Sequence, residues 1–276
     1  METEKPVQED ISMYQLIADL QDESKRENAL AELSKKRTSQ DELAKALWNS
    51  FGTMTILLEE IVSSYPLLDP PRLTQKESVR LCNVLVLLQT LVSSPETYLN
   101  IIQSSILVYI YPIIKTSSKK KTVYYARLTG LGVIGAISKM ESNDVIPFFL
   151  KNDVIGICLT NIENGSILEQ TIATFILQKI TQDSKGSQYI NASPNRLQMV
   201  CNTLSSVIEK MDEKPDKRLL KHVVRCFLSI VQNPATRDVV AQYYPKRLSE
   251  ETFTKEMEEN TSNWHHAILD FIAQKK

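Results

Sequence analysis

One stretch of the chain occurs twice. Aligning Pro95 with Pro234 lays VLVLLQTLVSSPETYLNII (Val84–Ile102) over VVRCFLSIVQNPATRDVVA (Val223–Ala241). Val84 then matches Val223, Leu88 matches Phe227, Leu91 matches Ile230, Val92 matches Val231 and Thr97 matches Thr236. The same phrase, an apolar helix followed by a short polar turn, returns more weakly at Val133–Asp144 and Phe175–Lys185. From Pro95 the turns fall near Asn143, Ser184 and Pro234, at intervals of 48, 41 and 50 residues. A unit this small cannot bury its apolar face alone, so repetition forces stacking around one continuous core. Repeats of about 40–47 residues have the length of armadillo and HEAT units. The expected fold is therefore all-α: an armadillo-like, right-handed helical solenoid.

The rest of the chain supports helices. In Ile11–Leu33 the residues Tyr14, Ile17, Leu20, Ala29, Leu30 and Leu33 recur at helical steps, and Asp41–Val62 repeats this through Leu43, Leu47, Phe51, Met54, Leu58 and Ile61. Only 7 glycines occur in 276 residues, against average usage of about 7%. That shortage disfavours folds built on tight turns and phosphate loops. The segment YPLLDPPRLTQK (Tyr65–Lys76), with three prolines, predicts a loop, with Thr74 as the N-cap of the next helix. Val79–Val92 is apolar almost all round, as in a helix with neighbours on most sides. Residues 1–10 (METEKPVQED) predict a disordered tail, and 11–276 a single armadillo-repeat domain.

Enzyme readings fail on inventory. The histidines are His222, His265 and His266. His222 lies in an apolar helix and predicts a packed core residue, while adjacent histidines such as His265 and His266 do not face the same way on a helix. GxSxG, HExxH and Walker motifs are missing, and the glycines at Gly130, Gly132 and Gly135, although spaced as GxGxxG, lack the strand-turn setting that phosphate binding requires. The acidic residues are scattered and predict no metal site and no cofactor. Cys82, Cys158, Cys201 and Cys226 lie within apolar segments without ligand spacing, the pattern of free thiols in a reducing compartment. The acidic start is unlike a signal peptide, and no apolar run approaches the roughly 18 residues of a membrane span. The expectation is a cytoplasmic protein, with the nucleus as a second compartment, and no membrane partner.

Several segments go further than period. RENALAELSKKR (Arg26–Arg37), WNSFGT (Trp48–Thr53), RLTGLGVIGA (Arg127–Ala136), ATFILQKI (Ala173–Ile180) and RLLKHVVRC (Arg218–Cys226) resemble the Rcd family, "required for cell differentiation". That family is the armadillo-like subunit of the Ccr–Not messenger-RNA deadenylase complex. The resemblance runs from about residue 11 onward. It implies an adaptor without activity of its own, docked on the large scaffold subunit. Its partners would be short peptide motifs of RNA-binding translational repressors, held in a concave groove, and silencing proteins whose tryptophans enter pockets.

Phe51, Thr55, Leu58 and Val62 share one helical face by spacing. Taken alone such a stripe reads as core, and for Leu58 that reading is adopted. By resemblance, Phe51, Thr55 and Val62 line the peptide groove, opposite Tyr125 and Gly132. The family has His where Asn49 stands and a smaller residue where Thr55 stands, changes that would alter which peptides fit. Gly130, Gly132 and Gly135 interrupt a helical pattern, each costing about 1 kcal/mol against Ala. Close packing accounts for Gly130 and Gly135, and ligand approach for Gly132. By resemblance again, Pro194, Arg196 and Ala235 stand at the tryptophan pockets, where Pro194 and Ala235 replace bulkier groups and weaken them. The clusters Lys35-Lys36-Arg37 and Lys119-Lys120-Lys121 border polar turns, as solvated helix ends do. Their functional reading is weak nucleic-acid contact, with Tyr124 and Tyr125 as stacking platforms.

The alternative function is thus a direct nucleic-acid-binding armadillo protein, disfavoured by a net charge of −1. A transport-receptor groove built on tryptophan ladders is excluded by the presence of only Trp48 and Trp264. A homodimer is left open by the sequence.

Overall fold

The structure is a computed structural model and describes residues 12–36 and 40–274. The tail expected over residues 1–10 and Arg37 of the first basic cluster lie outside these residues. Two helices open the described chain, α1 (Met13–Asp19) and α2 (Glu23–Lys35). Triplets follow: α3 (Gln40–Asn49), α4 (Thr53–Ser63) and α5 (Gln75–Ser93); then α6 (Tyr98–Ser104), α7 (Tyr111–Lys115) and α8 (Lys121–Ile137). Next come α9 (Val145–Lys151), α10 (Val154–Asn164) and α11 (Ile167–Gln182), and then α12 (Ser184–Asn191), α13 (Pro194–Glu209) and α14 (Lys217–Val231). The last unit is α15 (Arg237–Tyr243), α16 (Glu251–Thr254) and α17 (Glu259–Ala273). No strand occurs among the described residues.

The third helices of the units begin at Gln75, Lys121, Ile167, Lys217 and Glu259, steps of 46, 46, 50 and 42 residues. They stack in order, α2 on α5, α5 on α8, α8 on α11, α11 on α14 and α14 on α17, forming a ladder. A second layer runs beside it: α4 meets the 3-10 turn Ile106–Ile110 that leads into α7, α7 meets α10, and α10 meets α13. The core lies between these layers as one apolar cluster running from Leu16 to Ile268. Such stacks are quasi-one-dimensional, since each unit touches only its neighbours.

The sequence repeat has a structural meaning. Val84–Ile102 and Val223–Ala241 occupy equivalent places, the second half of a ladder helix and the turn beyond it. Thr97 and Thr236 are both buried. Thr97 donates its hydroxyl to the Leu91 carbonyl at 2.5 Å, and Thr236 donates to the Ile230 carbonyl at 2.5 Å. The matched pairs Leu91/Ile230 and Thr97/Thr236 thus make the same bond. Each threonine satisfies a carbonyl that the helix end leaves without an amide.

Two long helical patterns are broken. Ile11–Leu33 divides at Asp22, whose carboxylate accepts the Ser24 amide at 2.9 Å and caps α2. Asp41–Val62 divides at Gly52, held at φ 77°, a region open to glycine at no steric cost. Thr74 is an N-cap as expected, in a reciprocal capping box with Glu77.

Candidate functional site

The five residues expected to line one groove divide between two surfaces. On α4 the buried positions are Thr53, Ile56, Leu57 and Ile61. The opposite arc carries Thr55 and Val62, both exposed, with Leu58 half-buried between them. This arc is therefore the solvent side of the second layer, and Leu58, read as core, is not fully buried. Spacing shows that residues share a face, but not which face is buried. Phe51 is not helical at all: it sits in the turn before Gly52 and is 97% exposed. Its carbonyl accepts Gln21 Nε2 at 2.8 Å, which ties that turn to the chain between α1 and α2. From Thr55 to Val62 the exposed arc runs about 10 Å along the helix, with Phe51 at its head.

Tyr125 and Gly132 belong instead to the ladder. The main neighbours of α8 are α5, α7 and α11, whereas α4 packs on α3, α5 and the 3-10 turns beside it. Tyr125 is exposed, Gly132 is half-buried, and Lys121 Nζ lies 5.7 Å from the Tyr125 ring centroid. A Cβ added at Gly130 would come within 3.0 Å of Ile114 Cγ1, and one at Gly135 within 3.3 Å of Ile172 Cγ2. At Gly132 it would meet only Gln89 Oε1 at 3.6 Å, an ordinary contact. Packing thus accounts for the first two glycines and leaves space at the third.

Farther along the ladder, cations and aromatics alternate. Lys139 and Lys179 lie 5.9 and 5.7 Å from the Phe175 ring. His222 meets Phe175 edge-on and its Nδ1 lies 2.6 Å from Gln178 Oε1. His222 is half-buried on this surface and is not a core residue. Burial and the neighbouring Lys221 hold it below the ordinary imidazole range. Arg225 lies 4.7 Å above the Trp264 ring. Sequence reasoning missed this row, although Phe175 and Lys179 stand four residues apart.

Pro194 opens α13 behind its cap Ser193. The Arg196 guanidinium stacks on Tyr189 at 3.7 Å and donates to the Tyr189 carbonyl. An aromatic is therefore present beside Arg196, contributed by α12. Ala235 is exposed in the 3-10 turn Pro234–Thr236, which leads into α15, and α15 packs on α13. Lys119 and Lys120 are exposed at the start of α8, with Lys120 Nζ donating to the Pro71 carbonyl at 3.3 Å.

Burial raises the cysteine thiols, Cys201 and Cys226 each to about 12, the opposite of nucleophile activation. Among the described residues no group of three His, Cys, Asp or Glu side chains could hold a metal ion, and no single helix is long and apolar enough to cross a membrane.

Comparison with known proteins agrees with this architecture. The profile of the "Cell differentiation family, Rcd1-like" matches residues 16–272. The chain is 42% identical over 257 residues to "Cell differentiation protein rcd1" of Schizosaccharomyces pombe, covering 93% of this chain and 91% of that protein. It is also 42% identical over 256 residues to "Protein CAF40" of Saccharomyces cerevisiae, covering 92% of this chain and 69% of that one. A designed armadillo repeat protein in complex with the peptide (KR)4 superimposes with a TM-score of 0.67 at 14% identity, covering 95% of this chain and 99% of the other. This last likeness shows the fold alone: an all-α armadillo-like solenoid. The chain belongs to the Rcd1-like cell differentiation family.

Proposed function

We propose that the chain is a non-catalytic adaptor subunit of the Ccr–Not messenger-RNA deadenylase complex, acting in the cytoplasm and also in the nucleus. It joins the large scaffold subunit and receives short peptide motifs of translational repressors and silencing proteins, bringing deadenylation to chosen transcripts. Family membership supports this reading, and the resemblance of the motifs implies these partners. The observation that carries it is the presence of two accessible apolar surfaces on different layers. An adaptor must hold two partners at once. The Phe51–Thr55–Val62 strip suits a large, constant partner, because a fully exposed Phe on a fastened turn is an apolar anchor that costs little ordering. The Tyr125–Gly132 arc suits a helical peptide, which needs an apolar wall and room for its backbone.

The test is co-purification with a scaffold fragment and with repressor peptides. Tyr125→Asp with Gly132→Trp puts an unpaired charge at the wall and fills the space. Burying such a charge costs several kcal/mol, so peptide affinity falls by more than about tenfold while scaffold binding persists. Phe51→Ala with Val62→Asp has the reverse effect. Should the ladder variant lose both partners with an unchanged melting curve, the division of labour is wrong.

The row Lys139, Phe175, Lys179, Arg225 and Trp264 favours a second reading, direct binding of single-stranded nucleic acid, to which Lys119, Lys120 and Lys121 would add charge. With few phosphates neutralised, such binding collapses between about 50 and 200 mM salt.

A further inference from the structure

A cavity of about 830 Å³ opens at the edge of the stack where α11 and α14 begin, between the Gly165–Ser166 turn and the connection from α13 to α14. Its wall carries two adjacent large apolar side chains, Ile167 at 48% and Leu168 at 57% exposure, and Val207 and Met211 lie buried beneath. Single exposed apolar residues are ordinary, but a contiguous pair over a concavity marks a site of interaction.

The charges at the rim are unevenly used. Asp216 caps α14 by accepting the Leu219 amide at 2.9 Å, and Glu256 pairs with Lys217 at 3.1 Å. Lys210, Lys214 and Arg218 are exposed lining residues that pair with no carboxylate among the described residues; of the lining carboxylates only Asp212 is unengaged, and Glu209 and Glu213 stand exposed just outside the lining. The helix ends offer nothing to an anion. Ser166 and Glu169 close α11 in a capping box, and Asp216 closes α14. Recognition at this cavity therefore belongs to side chains: apolar groups beside a lining that holds three unpaired cations against one unpaired carboxylate.

We propose that this cavity receives a short acidic segment of a partner protein that carries two large apolar side chains. The apolar groups cover Ile167 and Leu168, and the carboxylates meet Lys210, Lys214 and Arg218. The volume is that of a ligand site, within about 300–1,000 Å³, and accepts a few side chains rather than the face of a domain. Apolar burial supplies affinity, while the rim charges steer the segment and set its register. The site lies at the starts of α11 and α14, whereas the Tyr125–Gly132 arc lies on α8, and the proposal does not depend on the scaffold and repressor reading.

The full chain carrying Tyr125→Asp and Gly132→Trp, with the ladder groove closed, is panned against a display library of short random peptides. The expected binders combine Asp or Glu with Leu, Met, Phe or Trp. Adding Leu168→Asp with Arg218→Glu, both at exposed positions, lowers the affinity of a labelled binder by at least about tenfold and leaves the melting temperature unchanged. The proposal is overturned if acidic sequences are not enriched, if a Lys-for-Glu version binds equally well, or if the added substitutions change nothing. It is also overturned if Lys214→Glu with Arg218→Glu removes binding of poly(U) RNA but not of the selected peptide.

Discussion

A methyl group added at each glycine of α8 meets a different fate, and this is where residue and function connect. Gly132→Ala adds only the ordinary contact with Gln89 and removes the backbone freedom glycine brings to a helix. It should raise stability by about 0.5–1 kcal/mol. Gly130→Ala drives a Cβ against Ile114 Cγ1 and should lower stability by about 1–3 kcal/mol, as overpacking does. Urea unfolding of both variants checks the pair, and an equal loss in both would show that Gly132 serves packing after all. The spacing of these glycines was legible, because Gly132 falls on the arc of Tyr125 seven residues earlier while Gly130 and Gly135 fall on core arcs. Leu58, read as core by the same tool, is only half-buried. A solvent stripe and a core stripe have one spacing, and only neighbouring helices decide between them. In α4 the stronger apolar arc, Ile56, Leu57 and Ile61, was the one to follow.

Caps and buried polar groups set where each element starts and how it docks. Thr74 with Glu77 was readable as a boundary, because both partners of the capping box lie within four residues. The docking of α17 was not readable, because it depends on residues brought together only by the fold. His265 Nδ1 lies 2.6 Å from the Tyr244 hydroxyl, the two rings stack at 5.7 Å between centroids, and Nε2 faces Ser249 Oγ at 3.4 Å. Burial and the adjacent His266 hold His265 below its ordinary value of 6.5. The unfolded chain then binds the proton more readily than the folded one. The stabilising contribution is complete above pH 6.5 and is lost as pH falls through the lower folded value. His265→Gln keeps a hydrogen-bonding partner for Tyr244 in either direction and removes the titration. Between about pH 7 and 5 the wild-type melting temperature should fall more steeply than that of the variant. Trp264 on the same helix, stacked with Arg225, reports undocking by its fluorescence. Parallel pH profiles would remove His265 from the account.

The stack as a whole depends on its joints, because in a quasi-one-dimensional protein no contacts beyond neighbouring units compensate for a weak one. The joint between α8 and α11 contains a buried ion pair: Arg127 Nε donates to Glu169 Oε1 at 2.5 Å, with both side chains nearly inaccessible. Each partner has a second duty. Glu169 Oε2 accepts the Ser166 amide at 2.7 Å, and Arg127 Nη1 donates to the Thr116 and Ser118 carbonyls at 3.0 and 2.8 Å. The pair therefore ties α8 to the start of α11 and to the loop that leads into α8. Glu169→Gln leaves the guanidinium charge buried without its counter-ion, which costs about 3–5 kcal/mol. The double change Arg127→Met with Glu169→Met leaves no orphaned charge. It should cost less than the sum of the single changes, a coupling that a double-mutant cycle in urea reads directly. The location of the loss matters more than its size. In Glu169→Gln, amide exchange should quicken in α8 and α11 on both sides of the joint, while α2 and α17 at the ends keep their protection. Uniform acceleration along all the ladder helices would mean that the molecule unfolds as a single unit and that the units are not separable.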